Sequence, residues 1–156
     1  MNDRPELALL IGLPASGKTS FCHTVLAGTH ERVPRDALGG GRSARSRVAR
    51  SIRAAAAIGV RVVVDGTHAS IRERAALIEI ARADGARVVG YYCQSRVDDC
   101  LRRNGRRAGL ERIPDVGIVD AAKRLERPSL SEGFHELWYV RMDPQGGFIV
   151  APWEEP

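Results

Sequence analysis

Eight residues near the start of the chain, Gly12-Leu13-Pro14-Ala15-Ser16-Gly17-Lys18-Thr19, set glycine, lysine and a hydroxyl at the spacing G-x-x-x-x-G-K-[ST]. Glycines at positions 12 and 17 allow a turn so tight that successive backbone N–H groups and the start of the next helix point at one spot. That spot suits the β- and γ-phosphates of a nucleoside triphosphate. Lys18 would neutralise the β/γ oxygens, and the Thr19 hydroxyl would ligate Mg²⁺. A chance glycine-rich turn is the plain alternative, and the flanking pattern argues against it. The apolar run Leu7 to Ile11 enters from one side, and Lys18 to Ala27, closed by Gly28, leaves as a helix on the other.

Three other polar groups fall where a reaction could use them. Arg35-Asp36 follows the short extended piece Glu31-Arg32-Val33. A carboxylate in such a loop beside the phosphates could take the proton of an attacking hydroxyl; a solvated pair or a helix cap gives the same two residues. Asp65 ends a run of valines, so it emerges at the carboxyl end of a strand, where an acid holds Mg²⁺ directly or through water. An Asx turn with Gly66 and Thr67 is the structural alternative, and the metal role agrees better with both position and chemistry. Arg102-Arg103-Asn104-Gly105-Arg106-Arg107 closes a basic helix, either as a lid over the triphosphate or as plain solvated surface.

The elements that must carry these groups alternate. Leu7 to Ile11 is a continuous apolar run, expected as a strand buried on both faces. Ser43 to Ile58 predicts a helix with alanines on one side and Arg45, Arg47, Arg50 and Arg53 on the other, after the break Gly39-Gly40-Gly41. Val60 to Val64 predicts a strand, Ile71 to Ala83 a helix, and Arg87 to Cys93 a further strand. Val97 to Arg107 and part of Pro114 to Leu125 are expected as helices, Glu136 to Val140 and Phe148 to Val150 as late strands, and Trp153 to Pro156 as a loosely held tail. Strands alternating with helices predict a parallel sheet covered on both faces, with its ligand at the carboxyl ends of the strands.

Length and composition narrow the class. With 156 residues, 44% of them hydrophobic, one domain spanning 1–156 can bury its own core. A formal charge of +5 favours polyanionic partners, although an arginine bias has other sources. Cys22, Cys93 and Cys100 show neither a disulfide framework nor a zinc spacing. The apolar run at the start is too short for a membrane span, so a cytoplasmic location with no membrane partner is expected.

Taken together, these pieces resemble the stand-alone kinase module of the polynucleotide 5′-hydroxyl kinase family, from the first strand to about Val140. The resemblance rests on Gly12 to Thr19, Arg35-Asp36, Asp65-Gly66-Thr67-His68 with Arg74, Arg103-Asn104 with Arg107, and Glu126-Arg127-Pro128-Ser129-Leu130-Ser131-Glu132-Gly133-Phe134. It implies a three-layer α/β/α P-loop kinase fold with a mainly parallel central sheet and a helical lid over about 103–127. It further implies ATP and Mg²⁺ as cofactors, and 5′-OH ends of DNA or RNA as acceptors. Asp36 becomes the general base, Lys18 the γ-phosphate clamp, Arg107 the lid arginine on ATP and Arg103 a secondary phosphate contact. Thr19 and Asp65 fall to the metal, and Arg35, Asp36, Thr67 and Arg74 to the acceptor. His68 stands where the family has Asn, and Gly39 where some relatives have an arginine three residues after the base. No D-x-D-x-[TV] phosphatase signature is present, so kinase activity alone is implied.

Two other readings share these residues. P-loop kinases of sugars, antibiotics or metabolites, zeta-toxin-like kinases among them, use the same loop without a basic acceptor pocket. A nucleotide-gated nucleic-acid-binding module would keep the loop and present its basic helix to a polymer. Trp138, Tyr139 and Trp153 fit core packing or base stacking equally in kind, the former being the commoner fate.

Overall fold

The computed structural model describes residues 4–35 and 41–155, the side chains of 41 and 42 excepted; Asp36 and Gly39 therefore lie outside the described residues. The first strand, β1 (Glu6–Ile11), is buried along its whole length. Its alternation explains why an unbroken apolar run is needed there. Leu7, Leu9 and Ile11 face one side of the sheet, while Ala8 and Leu10 face the other.

Helix α1 (Lys18–Phe21) widens at once into a π-helical turn over Cys22–Leu26, which lets Phe21, Cys22 and Leu26 all reach Ala8 and Leu10. Strand β2 (His30–Pro34) follows, then α2 (Gly41–Ala57), β3 (Arg61–Asp65), α3 (Ile71–Ala83) and β4 (Arg87–Cys93). Next come α4 (Val97–Gly105) and α5 (Asp115–Arg124), then β5 (Glu136–Met142) and β6 (Phe148–Pro152). Ala44, Val48, Ile52 and Ala55 form the buried stripe of α2, so Arg45, Arg47, Arg50 and Arg53 are left facing solvent.

The fold is a three-layer α/β/α sandwich around a six-stranded sheet of order β2-β3-β1-β4-β5-β6. Every pairing is parallel except that of β5 with the edge strand β6. Handedness assigns the layers. The chain steps one way from β1 to β2 and the other way from β2 to β3 and from β3 to β4, so a right-handed crossover puts α1 on one face and α2 and α3 on the opposite one. The reversal leaves a crevice at the carboxyl end of β1, between β3 and β4. Over that crevice α4 and α5 pack Cys100, Ile118 and Ala121 directly against Leu13 and Ala15.

The tail departs from expectation as far as residue 155. Trp153 packs on the core beside Tyr92, with the Arg127 guanidinium 4.9 Å from its ring centroid, and Glu155 accepts a hydrogen bond from the Leu130 N–H at 2.7 Å. The cation–π stack and this cap hold the segment.

Candidate active site

The phosphate loop joins β1 to α1, and its glycines are required by space as well as by φ. A Cβ on Gly12 would stand 2.8 Å from Ser16 Oγ. On Gly17, at φ +96°, it would stand 2.4 Å from Met142 Cε. Neighbouring strand ends hold the loop: the Gly12 N–H donates to the Thr67 carbonyl at 3.1 Å, and the Leu13 N–H to Ser95 Oγ at 3.0 Å. Lys18 is buried and donates to the carbonyls of Gly12 (2.9 Å) and Leu13 (2.7 Å). Burial above all lowers its pKa; the Asp65 carboxylate opposes that, and the Arg107 charge adds to it. Ser16 Oγ is buried with no hydrogen-bond partner among the described residues, an orphan that phosphate oxygens would satisfy.

The Thr19 hydroxyl donates to Asp65 Oδ2 at 2.8 Å across 46 residues of sequence. A hydroxyl and a carboxylate side by side beside the loop are hard oxygen donors of the kind that a small divalent cation takes. Sequence reasoning missed the third member of this group. Arg32 on β2 places both Nε and Nη2 at 2.9 Å from the same Oδ2. No pattern in the sequence marks it: the β2–β3 register, which pairs Arg32 with Val63, puts it on the face from which Asp65 projects.

The turn after β3 is held from below. His68 sits at φ +45°, fully enclosed, and donates from Nδ1 to the Leu10 carbonyl at 2.7 Å. That bond fixes the tautomer and leaves Nε2 a buried acceptor without a partner among the described residues. Burial first, then the charges of Arg35 and Lys18, push its pKa down to about 4.

Arg74 corrects the expectation that it meets the acceptor. Its guanidinium is fully buried and is spent inside the protein, on Glu132 at 2.8 and 3.1 Å and on the carbonyls of His68 and Ala69 at 2.8 and 3.1 Å. The stretch around Pro128 to Phe134 thereby acquires a physical meaning. Ser129 and Glu132 form a capping box that aims the Glu132 carboxylate at Arg74, and Phe134 fills the space above Gly90. The motif braces the backbone of the Asp65–Ala69 turn.

On the α4 side, Arg103 Nη1 donates to the Ala15 carbonyl at 2.8 Å, so it latches the phosphate loop itself. Arg107, half-buried beyond the end of α4, lies near enough for its charge to be felt at Lys18. Asn104, enclosed between the two arginines, exchanges hydrogen bonds with Ile113 at 2.7 and 3.1 Å and reaches Asp115 at 3.2 Å, clasping α4 to α5. Arg35 packs its Cβ against Gly66, where an added Cβ would come within 2.8 Å. Thr67 contributes the carbonyl that holds Gly12. Lys18, Thr19, Asp65, Thr67, Arg103 and Arg107 thus gather around the loop, and Arg35 borders it; Arg74 lies beneath. No helix among the described residues is long and apolar enough to cross a membrane.

A family model described as "AAA domain" matches residues 7–128, which takes in the loop, Arg32, Asp65, Arg74, Arg103 and Arg107 but not Ser129, Glu132, Phe134 or Met142. Solved structures of similar fold include a sugar kinase from Janibacter sp. HTCC2649, 17% identical over 88% of this chain and 85% of that one, with a TM-score of 0.67. Chaetomium thermophilum Kti12 in complex with ADP-AlF3 is also 17% identical, over 88% and 89%, at 0.69. A fungal RNA kinase is 13% identical over 92% of this chain and 40% of its own, at 0.64.

Proposed function

The chain belongs to the AAA-domain family, and on that premise we propose that it is an ATP-dependent phosphotransferase acting on 5′-hydroxyl ends of DNA or RNA. The observation that carries the reading is the meeting of Thr19 Oγ1 and Asp65 Oδ2 at 2.8 Å beside a loop whose lysine rests on its own carbonyls. Lys18 leaves those carbonyls for the β/γ-phosphate oxygens, which the N–H groups of Gly17, Lys18 and Thr19 at the start of α1 also hold. Thr19 and Asp65 would hold Mg²⁺, which when bound neutralises phosphate charge. Asp36 takes the proton of the attacking hydroxyl, and the γ-phosphoryl passes in line to that oxygen with ADP leaving. Arg107 faces the charge that develops, while Arg103 keeps the loop in register.

Support for a polymer acceptor comes from the exposed Arg47 and Arg50 on α2, which starts at the site end of the sheet, and from the formal charge of +5. It comes also from the RNA kinase among proteins of similar fold. One observation favours a small acceptor instead: the arginines of α2 are partly neutralised, Arg53 by Asp84 at 2.7 Å and Arg45 by Glu79 at 3.8 Å. Transfer to a short 5′-OH oligonucleotide, compared with a panel of neutral sugars at rising salt, decides between them. A polymer acceptor makes KM climb steeply with salt. Salt-indifferent transfer to a sugar alone would exclude the nucleic-acid reading.

A further inference from the structure

The carboxylate suited to a divalent cation already touches a cation of the protein's own. Arg32 is one-third exposed and turns Nε and Nη2 onto Asp65 Oδ2, which also accepts from Thr19 Oγ1. Three donors converge on an oxygen with two lone pairs, while Oδ1 accepts no hydrogen bond among the described residues. Among the described residues, the charges near this carboxylate are Lys18 from α1, Arg32 from β2 and Arg35 beside Gly66, and His68 in the turn beyond β3 is neutral. Before nucleotide enters, cations therefore outnumber this carboxylate among the described residues. A free divalent cation meets net repulsion there, whereas a nucleotide brings the negative charge that the site lacks.

We propose that Arg32 is a built-in counter-cation that closes Asp65 to a free divalent metal, so that the metal enters only together with a nucleotide. The inference rests on reading Thr19 and Asp65 as a cation-binding pair, and its test separates the two. Protein-bound Mn²⁺ is measured by electron paramagnetic resonance, with and without saturating ADP, on the wild type and on R32Q, R32M, R32K, D65N and R32Q/D65N. Wild type binds Mn²⁺ with ADP and only feebly without it. R32Q and R32M gain nucleotide-independent binding about tenfold tighter than wild type, the size expected for removing one partly screened charge beside a dication. R32M keeps most of the aliphatic stem, so the gain reports charge rather than packing. R32K keeps the charge and stays like wild type, and adding D65N to R32Q erases the gain. Nucleotide-free Mn²⁺ binding that is the same in R32Q, R32M and wild type, while ADP-dependent binding persists and is lost in D65N, overturns the role of Arg32 alone. Absence of ADP-dependent Mn²⁺ binding in wild type, or its full survival in D65N, overturns the cation pair and the proposal with it.

Discussion

Replacing Arg74 by Met separates bracing from substrate contact more cleanly than any other substitution. Methionine fills most of the arginine volume, so the change removes four hydrogen bonds and one charge while leaving little cavity. It strands the Glu132 carboxylate, whose side chain is 6% exposed, together with the carbonyls of His68 and Ala69. Breaking a buried ion pair from one side costs about 3–5 kcal/mol. For a chain of this length that is a fall of roughly 10 °C in Tm, at about 2–4 °C per kcal/mol. Glu132→Gln alone strands the arginine and costs a comparable amount. The double variant R74M/E132Q removes both charges, so it costs less than the two single losses added together. The assay is thermal and urea unfolding of all four proteins by circular dichroism, with ADP affinity and acceptor KM measured well below each Tm. Bracing predicts the stability loss and the non-additivity, with changes in kcat that follow the loosened turn. A Tm within about 2 °C of wild type, combined with a large rise in acceptor KM, would refute the bracing role and restore Arg74 to the acceptor site.

Gly17→Ala is expected to weaken ADP binding at least about tenfold in a titration. The new methyl meets Met142 Cε, and φ +96° stays strained even where Met142 yields, so adding Met142→Ala recovers only part of the loss. His68 gives a pH signature. Its folded pKa of about 4 lies below its ordinary 6.5, so the unfolded chain binds a proton that the folded one refuses in between. Stability from this group is complete above pH 6.5 and falls as pH drops towards 4, by about 3 kcal/mol in all. H68N should flatten that part of the pH–stability curve, and an unchanged slope would show that the imidazole is not the group responsible. Asn104→Ala should cost about 2–3 kcal/mol by stranding the Ile113 N–H and carbonyl, with α4 and α5 protected less in hydrogen exchange.

The layers of the fold were legible because each signal was local. An unbroken apolar run before glycine can only be an interior strand, and four-residue spacing of alanine and valine against arginine can only be a one-sided helix. Ends were less legible. The helix expected over Val97 to Arg107 stops at Gly105, and β5 continues two residues past Val140. In both places tertiary contacts decide: Asn104 turns the chain towards Ile113, and pairing with β6 extends β5. Within the site, the loop and the strand-end Asp65 announced themselves by spacing and position. Arg32, Ser95 and the Arg74–Glu132 pair did not, because each acts through a partner 33 to 82 residues away that no periodicity encodes. The resemblance marked the stretch from Glu126 to Phe134 as distinctive. Only its contacts in the fold, Glu132 on Arg74 and Phe134 over Gly90, give it a mechanical reason.

The most direct test of the proposed chemistry is transfer of labelled γ-phosphate from ATP to a 5′-OH oligonucleotide by the wild type, Lys18→Ala and Asp36→Ala, with nucleotide binding measured on the same samples. The proposed roles predict labelled 5′ ends with the wild type, none with Lys18→Ala, and none with Asp36→Ala even though Asp36→Ala still binds nucleotide. Label that persists in Asp36→Ala at the wild-type rate, or wild-type protein that binds ATP and labels no acceptor, would contradict them.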